Sequence, residues 1–447
     1  MASLFLTAFC AALLTLSGWL HPASLAARPR PGTPPPELTA GTALDFDACA
    51  RLAIRQSPYL TKSEVEIDIR RLAETDSKAD FLPSVNFRSR YYVSDLSRTG
   101  FHPSPYSLEF VSEPYSPVDA YFSLQVRKLL TKIARLHHLQ AIAEGLQRLG
   151  RSFLELAAQQ QLAQNQAEYL AIAAKHLLYT QTRQNLGSAD QLELKIAAQE
   201  VEVAQLSQQQ LAASRQKYVD GIKAYLGWPP QQELRLELNS ARSQVLGNLE
   251  AGSADTPETR PATVDLQIQA VKKELQRYNI TLAKTKLLPT FFAGVQTPDP
   301  LANVQTRSLF FFVGASLPVW DGGKRLRNVS RQKAILSQQE AEGQEKELDF
   351  QAKFQEARLQ VADAAAQLKL SHSQLELAEL KRRQQEIRYQ QLGESLSTYL
   401  DSEKGLVAAK KKVILKTLEY DLARLQLHHL ANNLVGRYVA ATPKGGQ

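Results

Sequence analysis

A chain of 447 residues has room for two or three domains, and its formal net charge of +8 invites an anionic partner such as nucleic acid or a membrane surface. The basic residues alternate with acidic ones, however, as at Lys346/Glu347 and Glu403/Lys404, which marks solvated helix faces and argues against nucleic acid. Cysteine excludes more: Cys10 falls inside an apolar N-terminal run and Cys49 stands alone after it, so neither a disulfide framework nor a CxxC metal site exists.

Residues 1–27 read as a secretory signal peptide, with an apolar core from Leu4 to Leu20 and small residues at Ser24-Leu25-Ala26-Ala27 for cleavage. No Lys or Arg lies near Met1, and a retained membrane anchor is the other reading. Residues 28–42 are proline-rich and extended. No later stretch approaches the ~20 apolar residues that a spanning helix needs. A mature chain that crosses a membrane must therefore do so with strands.

Residues 43–230 read as a first repeat. A helix from Ala43 to Ala79 opens at Asp45-Phe46-Asp47 and is renewed at Ser57-Pro58, with proline suited to the first helical position. Leu82-Pro83 ends it. From Ser84 to Val93 the period changes to two, with Val85, Phe87, Tyr91 and Val93 on one face of a strand. A loop from Thr99 to Pro117 follows. Ala120, Phe122, Leu124 and Val126 then alternate with Asp119, Tyr121, Ser123 and Gln125, which predicts a second strand and a hairpin over about 84–128. Val118 to Trp228 contains no proline and reverses at Leu186-Gly187-Ser188-Ala189, which predicts a long helical hairpin with its tip near residue 187.

A connector of mixed structure spans 231–261, and a second repeat spans 262–440. Its strands, Thr290 to Gln296 and Ser308 to Val319, form a hairpin over about 290–319 and carry Phe291, Phe292, Phe310, Phe311 and Phe312. Leu317-Pro318-Val319-Trp320-Asp321-Gly322-Gly323-Lys324 turns the strand into a helix. Trp320, Asp321, Gly322 and Gly323 form the turn, and GxxxxGK[ST] spacing for a phosphate loop is missing. From Val319 to Thr442 there is again no proline. Leu392-Gly393-Glu394-Ser395 marks a reversal between two very long antiparallel helices, and 441–447 reads as a disordered tail.

Gly187 and Gly393 stand 206 residues apart, and so do Pro83 and Pro289. One offset at two landmarks indicates internal duplication. Leu192, Ile196, Val203 and Leu206 form a heptad-compatible series, as do Leu415, Leu418, Leu422 and Leu425, and each calls for a partner helix. Strands of about ten residues with aromatic rims fit a transmembrane barrel, though an ordinary soluble hairpin fits the alternation equally. Four strands cannot close a barrel, and an open edge cannot sit in lipid. A membrane reading therefore demands an oligomer, and three copies supply twelve strands.

Little here could carry chemistry. His137-His138 and His428-His429 are adjacent pairs, which point about 100° apart on a helix and make no metal clamp. Lys381-Arg382-Arg383 and Lys410-Lys411-Lys412 lack the interleaved aromatics of nucleic-acid binders. The expectation is no enzyme, no cofactor and no metal.

The ordered series Leu44-Asp45-Phe46-Asp47-Ala48, Ser57-Pro58, Leu82-Pro83-Ser84, strand hairpin, long helix and Leu186-Gly187 resembles one half of a TolC-like outer-membrane efflux protein. Arg260-Pro261, Leu288-Pro289, Leu317 to Lys324 and Leu392-Gly393 resemble the other half. The resemblance implies a mainly α fold with a small β part, in two tandem repeats of a β-hairpin plus long antiparallel coiled-coil helices. A homotrimer would join a 12-stranded transmembrane β-barrel to a periplasmic α-helical barrel. It implies location in the outer membrane of a Gram-negative bacterium and a passive exit duct of a tripartite efflux or type I secretion system. The tips at Leu186, Gly187, Ser188, Leu392, Gly393 and Glu394 would meet a periplasmic adaptor coupled to an inner-membrane transporter. Relatives narrow the tunnel mouth with aspartates soon after the second tip glycine. Asp401 is the nearest acid here, and Asp190 its companion in the first hairpin.

Two departures accompany the resemblance. Ser123 precedes Gly187 by 64 residues, whereas Ser316 precedes Gly393 by 77. Asp321-Gly322-Gly323 also has no counterpart at Thr131-Lys132-Ile133. The rival function is a soluble periplasmic coiled-coil adaptor or scaffold, against which the absence of a β-rich block argues.

Overall fold

The structure, a computed structural model, describes residues 43–91, 106–247, 263–297, 310–317, 319–392, 395–432, 435, 436 and 438. The expected leader, the proline-rich segment, the connector from 248 onward and the tail 441–447 lie outside the described residues. So do the turn residues 298–300 and the tip residues Gly393 and Glu394.

The first half opens with α1, Phe46–Gln56, whose first turn is capped by the Asp45 carboxylate accepting from the Ala48 N–H at 2.8 Å. Helix α2, Pro58–Ala79, begins on its proline. Strands β1, Val85–Tyr91, and β2, Tyr106–Ser112, follow. Then come α3, Pro117–Asn185, and the returning α4, Gln191–Leu226. A short α5, Ala241–Leu246, lies in the connector. The second half repeats the order with α6, Val264–Thr285, then β3, Thr290–Thr297, and β4, Phe310–Ser316. It ends with α7, Lys324–Leu392, and α8, Leu396–Leu430. At 69 residues each, α3 and α7 are ~100 Å long.

The second strand of the first half is not where the alternation over 119–126 puts it. Those residues are the opening turns of α3, and the strand is Tyr106–Ser112, inside the expected loop. Capping outweighs the short alternation: the Ser116 hydroxyl accepts from the Asp119 N–H at 3.3 Å, Pro117 occupies the first turn, and Asp119 faces the helix dipole. The counterpart of Ser316 is therefore Ser112, which lies 75 residues before Gly187 and leaves the outgoing arms almost equal. The counterpart of Asp321-Gly322-Gly323 is Tyr115-Ser116-Pro117 and not Thr131-Lys132-Ile133. A cap plus proline makes the turn in one half, and two glycines make it in the other. The pair of "very long" helices in the second half is unequal as well: α8 has 35 residues against 69 in α7.

Packing explains that inequality. Toward the tips α3 lies between α4 and α8, and α8 lies between α3 and α7. Toward the sheet, where the returning helices have ended, α2 and α6 cover α3, and α6 also meets α7. The described helices form a layer four helices wide along its length.

Its main core is the belt where the returning helices meet the connector. Phe46 packs edge-on against Phe153, with ring centres 5.6 Å apart, and Leu146, Leu149, Ile222, Leu226, Val245 and Leu425 close around them. Leu44 is stitched to the connector by backbone bonds to Arg235 and Glu237, each 2.9 Å. Gly145 is required here, because a methyl group on it would overlap the Tyr225 hydroxyl.

The four strands form one antiparallel sheet in the order β1-β2-β3-β4, with β2 paired to β3 across the two halves. Among the described residues, the outer edges of β1 and β4 have no neighbour within the sheet. Among the described residues no helix is long and apolar enough to cross a membrane.

Candidate functional site

The first tip is a closed, well-bonded turn. Gly187 has φ +74, and the Ser188 N–H donates to the Arg183 carbonyl at 2.9 Å, the six-residue closure of a Schellman cap. Side chains repeat the lock: the Ser188 hydroxyl donates to the Arg183 carbonyl at 3.0 Å, and the Arg183 guanidinium donates to the Ser188 carbonyl at 2.7 Å. Arg183 also reaches Glu193, in the first turn of α4, at 3.3 Å. Leu186 is left 78 % exposed at the apex. Asp190 is the residue before α4, exposed and making no capping bond with its carboxylate.

Of the second tip, Leu392 ends α7 and Ser395 caps α8 by accepting from the Ser397 N–H at 3.2 Å. Just behind it Tyr389 and Tyr399 stack at 5.7 Å with a 15° interplanar angle, tying α7 to α8. The Tyr399 hydroxyl donates to Glu403 at 2.8 Å. Burial, then that carboxylate, push the phenol above its ordinary value.

Asp401 lies on α8, 3.8 Å from the Lys404 ammonium. Lys404 in turn donates to Glu200 of α4 at 2.6 Å, and His176 Nδ1 of α3 stands 3.4 Å from the same carboxylate. Asp401 joins a cluster with Lys404, Glu200 and His176, and Asp190 is not among its contacts. Sequence reasoning missed this cluster, because its members come from three helices and 228 positions of chain. The signal available was only the apolar register around them, which fixes which faces of α3, α4 and α8 meet.

A groove of about 830 Å³ opens between α3, α7 and α8 on the tip side of the layer. Arg382, Arg383 and Lys410, drawn from both basic clusters of the sequence, line it together with Glu168, Glu379 and Glu403. Lys410 donates to Glu168 at 2.7 Å. Arg382 pairs with Glu386 on its own helix at 3.5 Å, so in this groove the basic residues alternate with acids.

At the other end, Trp320 is 87 % exposed, and Gly322 and Gly323 have φ +66 and +76. The Asp321 carboxylate accepts from the Arg325 N–H at 3.0 Å, and Arg325 also donates to the Lys286 carbonyl at the end of α6. The turn anchors α7 to the preceding helix.

The sheet register sorts side chains onto two unlike faces. Val85, Phe87, Leu108, Phe110, Phe291, Val295, Phe311 and Val313 share one face, which is apolar and exposed, up to 83 % at Val313. Asn86, Arg88, Glu109, Phe292, Gln296 and Phe312 share the other, where Glu109 is only 7 % exposed. Crowding on the second face is what the concave side of a curling sheet produces.

Of the histidine pairs, His137 is exposed beside Gln140, while His138, His428 and His429 are taken up by packing. His138 Nδ1 is 2.7 Å from the Ser63 hydroxyl, and burial pushes the ring below its ordinary value. His428 is pushed down to about 4 by burial and by Arg424. Among the described residues no three His, Cys, Asp or Glu side chains converge as metal ligands.

No family model and no curated protein matches the sequence. Solved structures do. The chain superposes on CusC, described in terms of transmembrane channel formation, with a TM-score of 0.72 at 14 % identity, over 90 % of this chain and 97 % of that one. The outer membrane protein VceC of Vibrio cholerae gives 0.70 at 13 % identity, covering 87 % and 96 %. The open state of the Neisseria gonorrhoeae MtrE outer membrane channel gives 0.62 at 14 % identity, covering 87 % and 88 %.

Proposed function

We propose that this chain, which has the TolC-like fold of outer-membrane efflux channels, forms a homotrimeric exit duct in the outer membrane of a Gram-negative bacterium. The duct is passive. It serves a tripartite efflux or type I secretion system, in which an inner-membrane transporter supplies the energy and a periplasmic adaptor links the two.

One observation carries the reading: the layer has two unfinished lateral edges that complement each other. Strands β1 and β4 each offer a free edge, which lipid does not tolerate. Below them, α4 exposes Leu192, Ile196, Val203 and Leu206, the partner-seeking series of the sequence. On the opposite edge α7 exposes Leu359, Leu370, Leu377, Leu380 and Ile387. Helix α7 runs toward the tips and α4 away from them. A neighbour's α7 would therefore meet α4 antiparallel, as α3 meets α8 inside the chain. Three copies close twelve strands with the apolar face outward and the concave, partly polar face lining water.

The tips then have a natural use. Leu186, Gly187 and Ser188, with Leu392, Gly393 and Glu394, would present to the adaptor, and the charged groove behind them offers paired side chains of both signs to its helices. Asp190 and Asp401 would narrow the mouth, with Asp401 held through Lys404 and Glu200. The mass of the detergent-extracted protein tests the assembly. A trimer that reconstitutes into a conducting pore is expected, whereas a monomer soluble without detergent overturns the duct and favours a periplasmic scaffold.

A further inference from the structure

On the concave face of the sheet, Phe292 stands directly opposite Gly314, and Gly294 directly opposite Phe312. Each ring lies over the glycine across from it. A methyl group on Gly294 would overlap the Phe312 ring, and one on Gly314 the Phe292 ring. The two rings meet at 6.4 Å and 65°, and Phe310 continues the same face beside Gln296. The result is a low aromatic tile, half-buried, with one side against backbone and the other toward the concave space.

Membrane insertion does not call for it. Only the outward face of a barrel must be apolar, and a water-filled interior is expected to be polar. The β1–β2 half of the same face is polar at Asn86 and at Arg88 opposite Glu109, with Val111 as its apolar member opposite Gly294. Covering a strand glycine with an aromatic ring steadies the pairing, yet the outward face packs its strands without any such glycine–ring exchange. The tile is also confined to β3 and β4.

We propose that the Phe292–Phe312 tile is a cargo-contact site of the duct, taking small molecules with an aromatic face. This rests on the trimeric duct of the preceding section, in which the inner wall faces the path that cargo takes. Around a three-fold barrel, three aromatic sectors alternate with three polar ones. Each tile is bordered by Gln296 and Glu109 on its own chain and by the next copy's β1 on the other side. A flat aromatic molecule would stack on one ring, meet the other, inclined to it by 65°, edge-on, and turn its polar substituents to those borders. Hydrated inorganic ions gain nothing from such a surface.

The trimer in planar bilayers tests this with tetraphenylphosphonium as the aromatic probe and tetrabutylammonium as a non-aromatic cation. Tetraphenylphosphonium is expected to block the potassium current at about tenfold lower concentration than tetrabutylammonium, and the Phe292→Leu/Phe312→Leu pair to remove most of that difference. Leucine keeps the glycines covered, so the variant retains its packing, and its potassium conductance reports an intact pore. Equal block by the two cations in the unaltered protein overturns the proposal. So does a selectivity that survives the double substitution. A protein that forms no pore at all fails at the earlier step, and the oligomer mass shows which of the two has failed.

Discussion

Lys404 of α8 donates to Glu200 of α4 at 2.6 Å, so that one ion pair joins the returning helices of the two hairpins close to their tips. The Lys404 side chain is only 15 % exposed and has Asp401 and His176 around the same pair. In a partly desolvated setting the bond is stronger than a surface salt bridge, and a lone survivor of it is costly. Lys404→Ala is expected to loosen one hairpin from the other and raise the open fraction of the proposed duct in single-channel recordings. The charge-exchanged pair Glu200→Lys/Lys404→Glu should return it toward the parent, with a coupling of about 1–2 kcal/mol in the cycle. Independent effects of the two residues would show that they do not act as a clasp.

A second prediction concerns the belt. Alanine is the better helix former by about 1 kcal/mol, which would favour Gly145→Ala on an open helix face. Here the new methyl meets the Tyr225 hydroxyl, in a core where Phe153 and Leu226 are fully buried. Overpacking of this kind costs about 1–3 kcal/mol, so the variant should melt earlier than the parent. Tyr225→Phe in the same chain removes the overlapping atom and should recover part of the loss. An unchanged melting curve for Gly145→Ala would mean that α3 and α4 sit further apart at this level.

How much of this was legible from the residues depends on the distance over which each signal acts. Proline-free runs, Gly187 and the Ser57-Pro58 start act within a few positions, and the helices and the first tip stand where those signals put them. The stretch 119–126 shows a short-range signal that misleads. Its two-residue alternation was genuine, but Ser116 and Pro117 had already committed the backbone to a helix, and β2 lay in the tyrosine- and serine-containing stretch just before. The clasp between Glu200 and Lys404, the charged groove and the Phe–Gly tile were beyond reach. Each depends on register between elements about 20 to 240 residues apart, which no local pattern states.

Acidification should weaken the fold through its buried histidines. His428 is 4 % exposed at the end of α8, with Arg424 nearby, and its value falls from 6.5 to about 4. Above pH 6.5 the ring is neutral in both folded and unfolded chains and the stability term is fully present. Between 6.5 and 4 the unfolded chain binds a proton that the folded chain refuses, so stability declines as the pH falls through that window. Melting temperatures should be level from pH 8 to 7 and then drop. His428→Gln should flatten part of the drop, leaving the share of His138 and His429, which are shifted the same way. A parent protein as stable at pH 4.5 as at 7.5 would contradict the buried, neutral state of these rings.

Gly187 separates the conformation of the tip from the stability of the whole. Its φ of +74 suits glycine, yet an added methyl meets nothing within 4 Å, so the cost of Gly187→Ala is conformational and about 1–2 kcal/mol. That strain falls on the bonds that close the turn, Ser188 to Arg183 and Arg183 to Glu193, far from the belt that holds the helices together. Global melting should stay within a degree or two of the parent, because a frayed tip is a local opening. Amide exchange over residues 183–190 should quicken, and cross-linking from a cysteine at Ser188 to an adaptor hairpin should fall several-fold. Gly187→Asn, which tolerates the left-handed region better, should lie between the two. If Gly187→Ala exchanged its tip amides faster and still cross-linked as well as the parent, docking would not depend on the closed turn, and a parent that gave no cross-link from Ser188 would show that the adaptor does not dock at the first tip.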